Sequence, residues 1–244
     1  MEKLPQLSDK VTQSLLHEMQ EGDYAGLDTL PPEMDLALRF NVSRNIIRES
    51  LTCLEREGYI IRKHGVGTLI NKSVVHVSSR LDLNPGLMQS FQENGKHGEQ
   101  AYVHLGSQPA TDHQAKKLHI SSGDSLIRAA RLFVVDGRPG VYCIDYVPEK
   151  LVVDRSYRQE EIEKSDVFDF LCRNCGGESV ETCLAELRSL PPTEEVARAL
   201  QIPMASGLLY LEEVGYDLRS KPVLYCEEYF IDRVVRHMIV RKKI

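Results

Sequence analysis

The sequence predicts an α+β protein of two domains, and three observations lead there. The chain has 244 residues, more than one small domain requires, and its 42% hydrophobic residues suffice for two cores. Its first seventy residues carry apolar positions at helical spacing, broken by stop signals and closed by a glycine-tipped hairpin. Beyond residue 85, strand patterns joined by hairpin turns alternate with short helical runs, as in an antiparallel sheet dressed with helices. The boundaries expected are 1–72 for the first domain, 73–84 for a linker and 85–244 for the second.

Taken in order, Ser8 is placed to cap a first helix, along which Val11, Leu15, Leu16 and Met19 recur until Gly22 stops it. In "LPPEMDLALRF" two prolines precede a short second helix whose Leu36, Ala37 and Phe40 share a face. Asn41 tolerates the left-handed conformation that ends a helix sharply, Val42 plugs the turn, and Ser43 caps a third helix. Three residues between helices is helix-turn-helix spacing.

In the third helix Ile47, Leu51 and Leu54 fall on one face, and Arg44, Arg48, Thr52 and Glu55 on another. Ser43, Arg44 and Asn45 at its start carry donors that a DNA major groove accepts: arginine forks onto guanine, asparagine pairs with adenine. After Gly58, "YIIRK" and "TLIN" read as two short strands around "HGVG". With Arg62, Lys63 and His64 at its base and glycines at 65 and 67, this hairpin forms a wing suited to phosphates or a minor groove.

Net charge is −6, which argues against a general polyanion binder, but the charge is uneven. Residues 1–38 hold two basic side chains against eight acidic ones, whereas residues 39–72 hold seven basic against three acidic. A basic patch inside an acidic chain implies a localised anionic partner; a solvated charged face is the plain alternative.

The stretch 71–86 is polar with a turn and reads as linker. Then come a helix over 85–94, a strand over 102–107, a helix over 112–119, and strands 125–135 and 140–147 flanking the hairpin turn "DGRP". A helix over 166–174 ends at paired glycines. Residues 179–189 look extended, 193–200 helical, and 207–217 with 222–231 form a last hairpin.

At this point the residues add up to a pattern. "LPPEMDLALRFNVSRNIIRESLTCLEREGYIIRKHGVGTLI" within residues 7–71 resembles the winged helix-turn-helix domain of the GntR family of bacterial transcription regulators. The resemblance implies operator contacts from Ser43, Arg44, Arg48, His64 and Gly65, with Asn45 at a contact position where threonine is common. The family's Ser-Glu-Arg opening of the second helix is replaced here by Pro32, Glu33 and Met34. "RAARLFVVDGRPGVYCIDYVP", "PPTEEVARALQIP" and "SGLLYLEEVGYDLRSKPVLYCEEYF" resemble the UTRA ligand-sensing domain of the HutC-like branch. That implies a chorismate-lyase-like fold binding a small effector, in a homodimer. The branch often carries an Arg-x-Arg and a following glutamate that hold a sugar phosphate; Arg131 matches the first arginine, but Phe133 and Cys143 replace the second arginine and the glutamate. Arg131, Asp145 and Tyr229 are the expected effector-binding residues, with Tyr146 and Glu228 as further polar groups on the predicted strands.

Six cysteines are spread through the chain; Cys172 and Cys175 stand at CxxC spacing with Cys183 eight residues on, but no fourth ligand follows regularly, so no metal is expected. No nucleophile elbow, HExxH or P-loop is present, so no enzyme activity and no cofactor are expected. No apolar run nears the ~20 residues of a membrane span, and "MEKLPQLSDK" lacks a signal-peptide core. The expectation is a cytoplasmic, homodimeric, ligand-responsive regulator of double-stranded operator DNA, most simply a repressor released by a small effector, a phosphorylated or other anionic metabolite. The alternatives are a chorismate-lyase-like enzyme joined to a DNA-binding domain and a thiol- or metal-sensing regulator.

Overall fold

The computed structural model describes residues 6–77, 80–83, 86–93, 95–154, 166–177 and 179–242. The chain divides into two compact units, one of Met1–Leu83 with Met238–Ile244, the other of Asn84–His237.

The first unit holds α1 (Leu7–Gln20), α2 (Glu33–Phe40), α3 (Arg44–Glu57), β1 (Ile60–Lys63), β2 (Gly67–Ile70) and a helical turn, α4 (Lys72–Val75). Its core is the set of positions that helical periodicity selects: Leu15, Met19, Leu36, Ile47, Leu51 and Leu54 are all essentially inaccessible. The first helix starts a residue before the predicted cap. The Gln6 backbone N–H donates to the Asp9 carboxylate at 3.0 Å, so the acid in the first turn satisfies the helix entry. Ser8 serves elsewhere: its carbonyl accepts the Ser50 hydroxyl at 2.9 Å and ties α1 to α3. Asn41 takes φ 51° and ψ 47°, and the Ser43 hydroxyl accepts the Ile46 N–H at 3.3 Å, so the turn between α2 and α3 forms as the residue types require. Gly58, at φ 86°, closes α3.

Two stretches assigned in sequence to linker and second domain belong instead with the first unit. Of the expected linker 73–84, Val74 and Val75 are buried in the first core, and residues 78, 79 and 84 lie outside the described residues. Arg80, 8% exposed, pairs with Asp82, donates to the Glu57 carbonyl at 2.8 Å and lies 5.0 Å over the Tyr59 ring. A guanidinium so well partnered fixes its segment in place. The second domain does not run to residue 244: the Met238 carbonyl accepts the Leu81 N–H at 2.9 Å, and Lys242 Nζ donates to the Arg56 carbonyl at 2.7 Å and to that of Glu55. The physical reason is the unsatisfied carbonyls at the end of α3, which a lysine ammonium answers well.

The second unit is built on a six-stranded, wholly antiparallel sheet of β3 (Gly98–Pro109), β4 (Ser125–Val135), β5 (Arg138–Pro148), β6 (Thr182–Leu190), β7 (Leu208–Tyr216) and β8 (Pro222–Phe230), in spatial order β3-β4-β5-β8-β7-β6. Asp136 and Gly137, at φ 51° and 75°, make the tight turn between β4 and β5. Among the described residues the helices of this unit are α5 (Leu87–Glu93), α6 (Asp112–Leu118), α7 (Val167–Asn174) and α8 (Glu194–Leu200). The predicted helix over 85–94 is thus α5, with residues 85 and 94 outside the described set. Helices α6 and α8 cover one sheet face through Leu118, Val196 and Leu200, which pack on Leu126, Ala130, Tyr142 and Tyr225. Helix α7 covers the other, where Phe170 and Leu171 pack on Ile127, Val147 and Leu224.

Leu51→Ala should lower the unfolding free energy of the first unit by about 2–5 kcal/mol, because the cavity it leaves sits at the crossing of α1 and α3. The check is a fall in the denaturant midpoint followed by helical circular dichroism.

Candidate nucleic-acid interface and effector cavity

Burying Ile47, Leu51 and Leu54 turns the opposite stripe of α3 to solvent. Ser43, Arg44, Asn45 and Arg48 are all exposed, and an open groove of about 470 Å³ runs along Asn45, Arg48, Thr52 and Arg56. Arg48 forms no ion pair among the described residues. Arg44 reaches back to the Glu33 carboxylate at 3.4 Å while its side chain stays 61% exposed. Glu33 stands at the opening of α2, so one of the residues that departs from the family pattern lies against a predicted contact residue.

Several cations in the basic stretch are spoken for. Arg39 pairs with Asp23 at 2.6 Å and Glu18 at 3.1 Å, and Lys72 with Asp28 at 2.6 Å. Arg62 of the wing donates through Nε to Glu55 at 2.7 Å and through Nη2 to the Thr52 hydroxyl at 3.2 Å. That hydrogen bonding holds the Glu55 carboxyl below the usual carboxylate range. Thr52 and Glu55, read as part of the open stripe, therefore brace the wing to α3. The opposite charges flanking the Gly58 turn were the signal for this brace. His64 and Gly65 occupy the exposed wing tip, Gly65 at φ 77°.

In the sheet, side chains alternate between faces, and this separates the three predicted effector residues. Arg131 and Asp145 share the α7 face and form an ion pair, both deeply buried. Asp145 also accepts the Cys226 thiol at 3.0 Å. Burial pushes the Asp145 carboxyl upward, with the Arg131 charge opposing. Arg131, Asp145, Ile127, Val147 and Phe170 line a cavity of about 10 Å³, room for one water and far below a metabolite pocket. Tyr229 lies on the opposite face, its ring 5.0 Å from that of Tyr210 in the core under α6 and α8. It cannot line the same cavity: residue parity along β8 places it there, a constraint that fixing each residue's strand without the register left unused.

Sequence reasoning missed a polar network on that second face. Glu212, 2% exposed, accepts the Tyr225 hydroxyl at 2.7 Å and pairs with Arg188 at 2.9 Å, Lys117 at 3.2 Å and His113. Glu227 accepts the hydroxyls of Tyr146 at 3.1 Å and Tyr210 at 3.3 Å. Glutamates and tyrosines of like parity on adjoining strands were the available sign. Of the cysteines flagged in sequence, Cys175 packs in the apolar cluster under α7, Cys172 stands half-buried on α7 and Cys183 lies on β6. No helix among the described residues is long and apolar enough to cross a membrane.

A helix-turn-helix with an outward cationic stripe, joined to a sheet unit that closes over a buried ion pair, defines the class: a ligand-responsive transcription regulator. Comparison with known proteins then gives the family. The chain belongs to the gntR family of bacterial regulatory proteins, whose profile matches residues 7–70, and it carries a UTRA domain, matched over residues 93–233. It is 25% identical over 221 residues to the "Probable transcriptional regulator PhnF" of Escherichia coli, covering 90% of this chain and 87% of that one. It is 23% identical over 220 residues to an E. coli "Probable fructoselysine utilization operon transcriptional repressor", covering 88% of each. Among solved structures, YydK of Bacillus subtilis superposes with a TM-score of 0.76 at 19% identity over 96% of this chain and 99% of its own. PhnF of Mycobacterium smegmatis gives 0.60 at 16% identity over 95% and 99%. At these identities the superpositions speak for the fold.

The buried Glu212 makes stability acid-sensitive. Burial alone would raise its carboxyl, but the hydrogen bonds from Tyr225, His113 and Lys117 outweigh it and hold the group at about 2, against an ordinary 4.5. A depressed folded value contributes stability in full above the unfolded value and loses it as pH falls toward the folded one. Unfolding free energy should therefore drop between pH 4.5 and 2, and Glu212→Gln should flatten that part of the profile, measured by denaturant titration across the range.

Proposed function

We propose that the chain works as a homodimeric repressor in the cytoplasm, acting by binding and not by turnover. The observation that carries the reading is the outward stripe of α3, fixed by the burial of Ile47, Leu51 and Leu54 on its other side. In each half-site Ser43 and the wing residues His64 and Gly65 hold phosphates and set register, while Arg44, Asn45 and Arg48 meet base edges in the major groove. A two-fold pair of such modules reads half-sites about one helical turn, ~34 Å, apart. On DNA, Arg44 exchanges its long contact with Glu33 for a shorter one. The description of one relative as an operon repressor supports repression over activation.

The effector enters between α7 and the sheet, where Arg131 and Asp145 meet. Because that cavity has room for only about one water, binding requires α7 to give way, and the closed and opened forms differ in affinity for operator. A coupling of about 1–3 kcal/mol between the two sites is the usual scale for such devices.

Arg48→Ala should weaken operator binding by about 10- to 100-fold, the worth of one good base or phosphate contact of ~1–3 kcal/mol, while leaving the melting temperature unchanged. The check is a gel-shift titration with the chain's own promoter DNA; an unaltered affinity would remove α3 from the interface.

A further inference from the structure

We infer that β6 is the seam between two copies of this chain: its outer edge pairs antiparallel with the same strand of a second copy, about a two-fold axis at Leu187, so that two sheets continue into one. The inference rests on the homodimer of the proposed function and names the surface through which it forms.

The sheet ends in two edge strands, β3 and β6. An open edge offers a row of backbone donors and acceptors to any other strand, and proteins blunt such edges with bulges, short lengths or inward charges. The β3 edge is broken by a bulge between Gln100 and Tyr102. The β6 edge is not: its nine residues run in unbroken register with β7, from Thr182 opposite Tyr216 to Leu190 opposite Leu208. Among the described residues no strand lies beyond it. Two leucines also stand open on this strand, Leu184 at 67% and Leu187 at 45% exposure, and their parity puts them on opposite faces of the sheet. A long, regular edge with exposed leucine is the kind that a partner strand covers.

The order of side chains selects the partner. From Leu184 to Leu190 the strand reads Leu-Ala-Glu-Leu-Arg-Ser-Leu, which complements its own reverse. A two-fold axis normal to the sheet keeps like faces on one side, so opposed residues have like parity. With the axis at Leu187, Glu186 falls opposite the partner's Arg188, Leu187 opposite the partner's Leu187, Leu184 opposite the partner's Leu190 and Ala185 opposite the partner's Ser189. Moving the axis by one residue sets glutamate against glutamate or arginine against arginine, and like charges directly opposed destabilise a pair. Both charges are accessible, the side chains of Glu186 and Arg188 being 59% and 46% exposed. Within one copy Glu186 makes only long contacts, 3.6 Å to Arg188 and 4.0 Å to Lys117. Arg188 is held in place by Glu212 at 2.9 Å and by the Tyr210 ring beneath it. A guanidinium has five donors, so it keeps Glu212 while it receives the partner's Glu186. A foreign peptide would need no such symmetry in the strand; a second copy does.

The test uses the full-length protein. Light scattering should give the mass of two chains. Leu187→Asp, which sets two carboxylates face to face at the axis, should raise the dimer dissociation constant at least about tenfold, ~1.4 kcal/mol, with circular dichroism verifying the fold. Opposed Cβ atoms at the axis lie ~5 Å apart, close enough for a disulfide. Leu187→Cys should therefore cross-link to its own copy under mild oxidation, as located by peptide mapping, with the native protein oxidised alongside to control for its own cysteines. Ala185→Cys, which faces the partner's Ser189 and not itself, should not cross-link. A disulfide through Ala185→Cys in place of Leu187→Cys would overturn the register and with it the proposal. A dimer that withstands Leu187→Asp, or Leu187→Cys chains that do not cross-link, would overturn the seam while leaving the homodimer itself standing. A chain that stays monomeric both free and on operator DNA would overturn both.

Discussion

A strand offers its side chains only two directions, and the larger unit depends on that constraint more than on any single bond. Once β4, β5, β8 and β7 pair in their observed register, every residue between Leu126 and Phe230 on those strands is committed to one face or the other. One face collects Tyr142, Tyr146, Tyr210 and Tyr225, whose hydroxyls reach Glu195, Glu227 and Glu212. The other collects Arg131, three acids and two buried thiols. The two sets are one residue apart in sequence and a whole sheet apart in space. A shift of register by one would exchange a satisfied network for an unsatisfied one, so the polar residues help to fix the pairing that arranges them.

In the smaller unit the corresponding constraint is the 3.6-residue repeat of α3. Three apolar side chains on one side of the helix determine what the other side can present, and both helix ends are fastened by specific donors and acceptors. Ser43 holds the start; Arg80 and Lys242 hold the last carbonyls. The Arg62–Glu55 pair then sets the wing against the helix. Reading DNA asks for little flexibility in such a module, and the structure leaves little at these points.

Much of this was legible in the chain. The three helices, the αL turn at Asn41 and the hairpins at 60–70 and 125–148 follow from local rules of capping, periodicity and turn chemistry, and the structure has them. Arg131 and Asp145, both named as effector candidates, do meet on one face, because the pairing of β4 with β5 gives them the same parity. Tyr229 was misplaced because its side depends on β8 pairing with β5, a contact between residues some eighty positions apart that no local rule supplies. For the same reason the Glu212 network and the neutralisation of Arg39 by Glu18 and Asp23 stayed hidden. Charge counts along a stretch do not reveal which cations fold back on acids from another helix.

The closing segment of the chain has a consequence of its own. A side chain at Gly58 would come within 3.1 Å of Lys242 and 3.3 Å of Val240, so these late residues sit directly on the exit of α3. The DNA-reading module is therefore not one continuous stretch of the gene. Transplanting residues 1–83 alone would leave behind the piece that stoppers its own recognition helix.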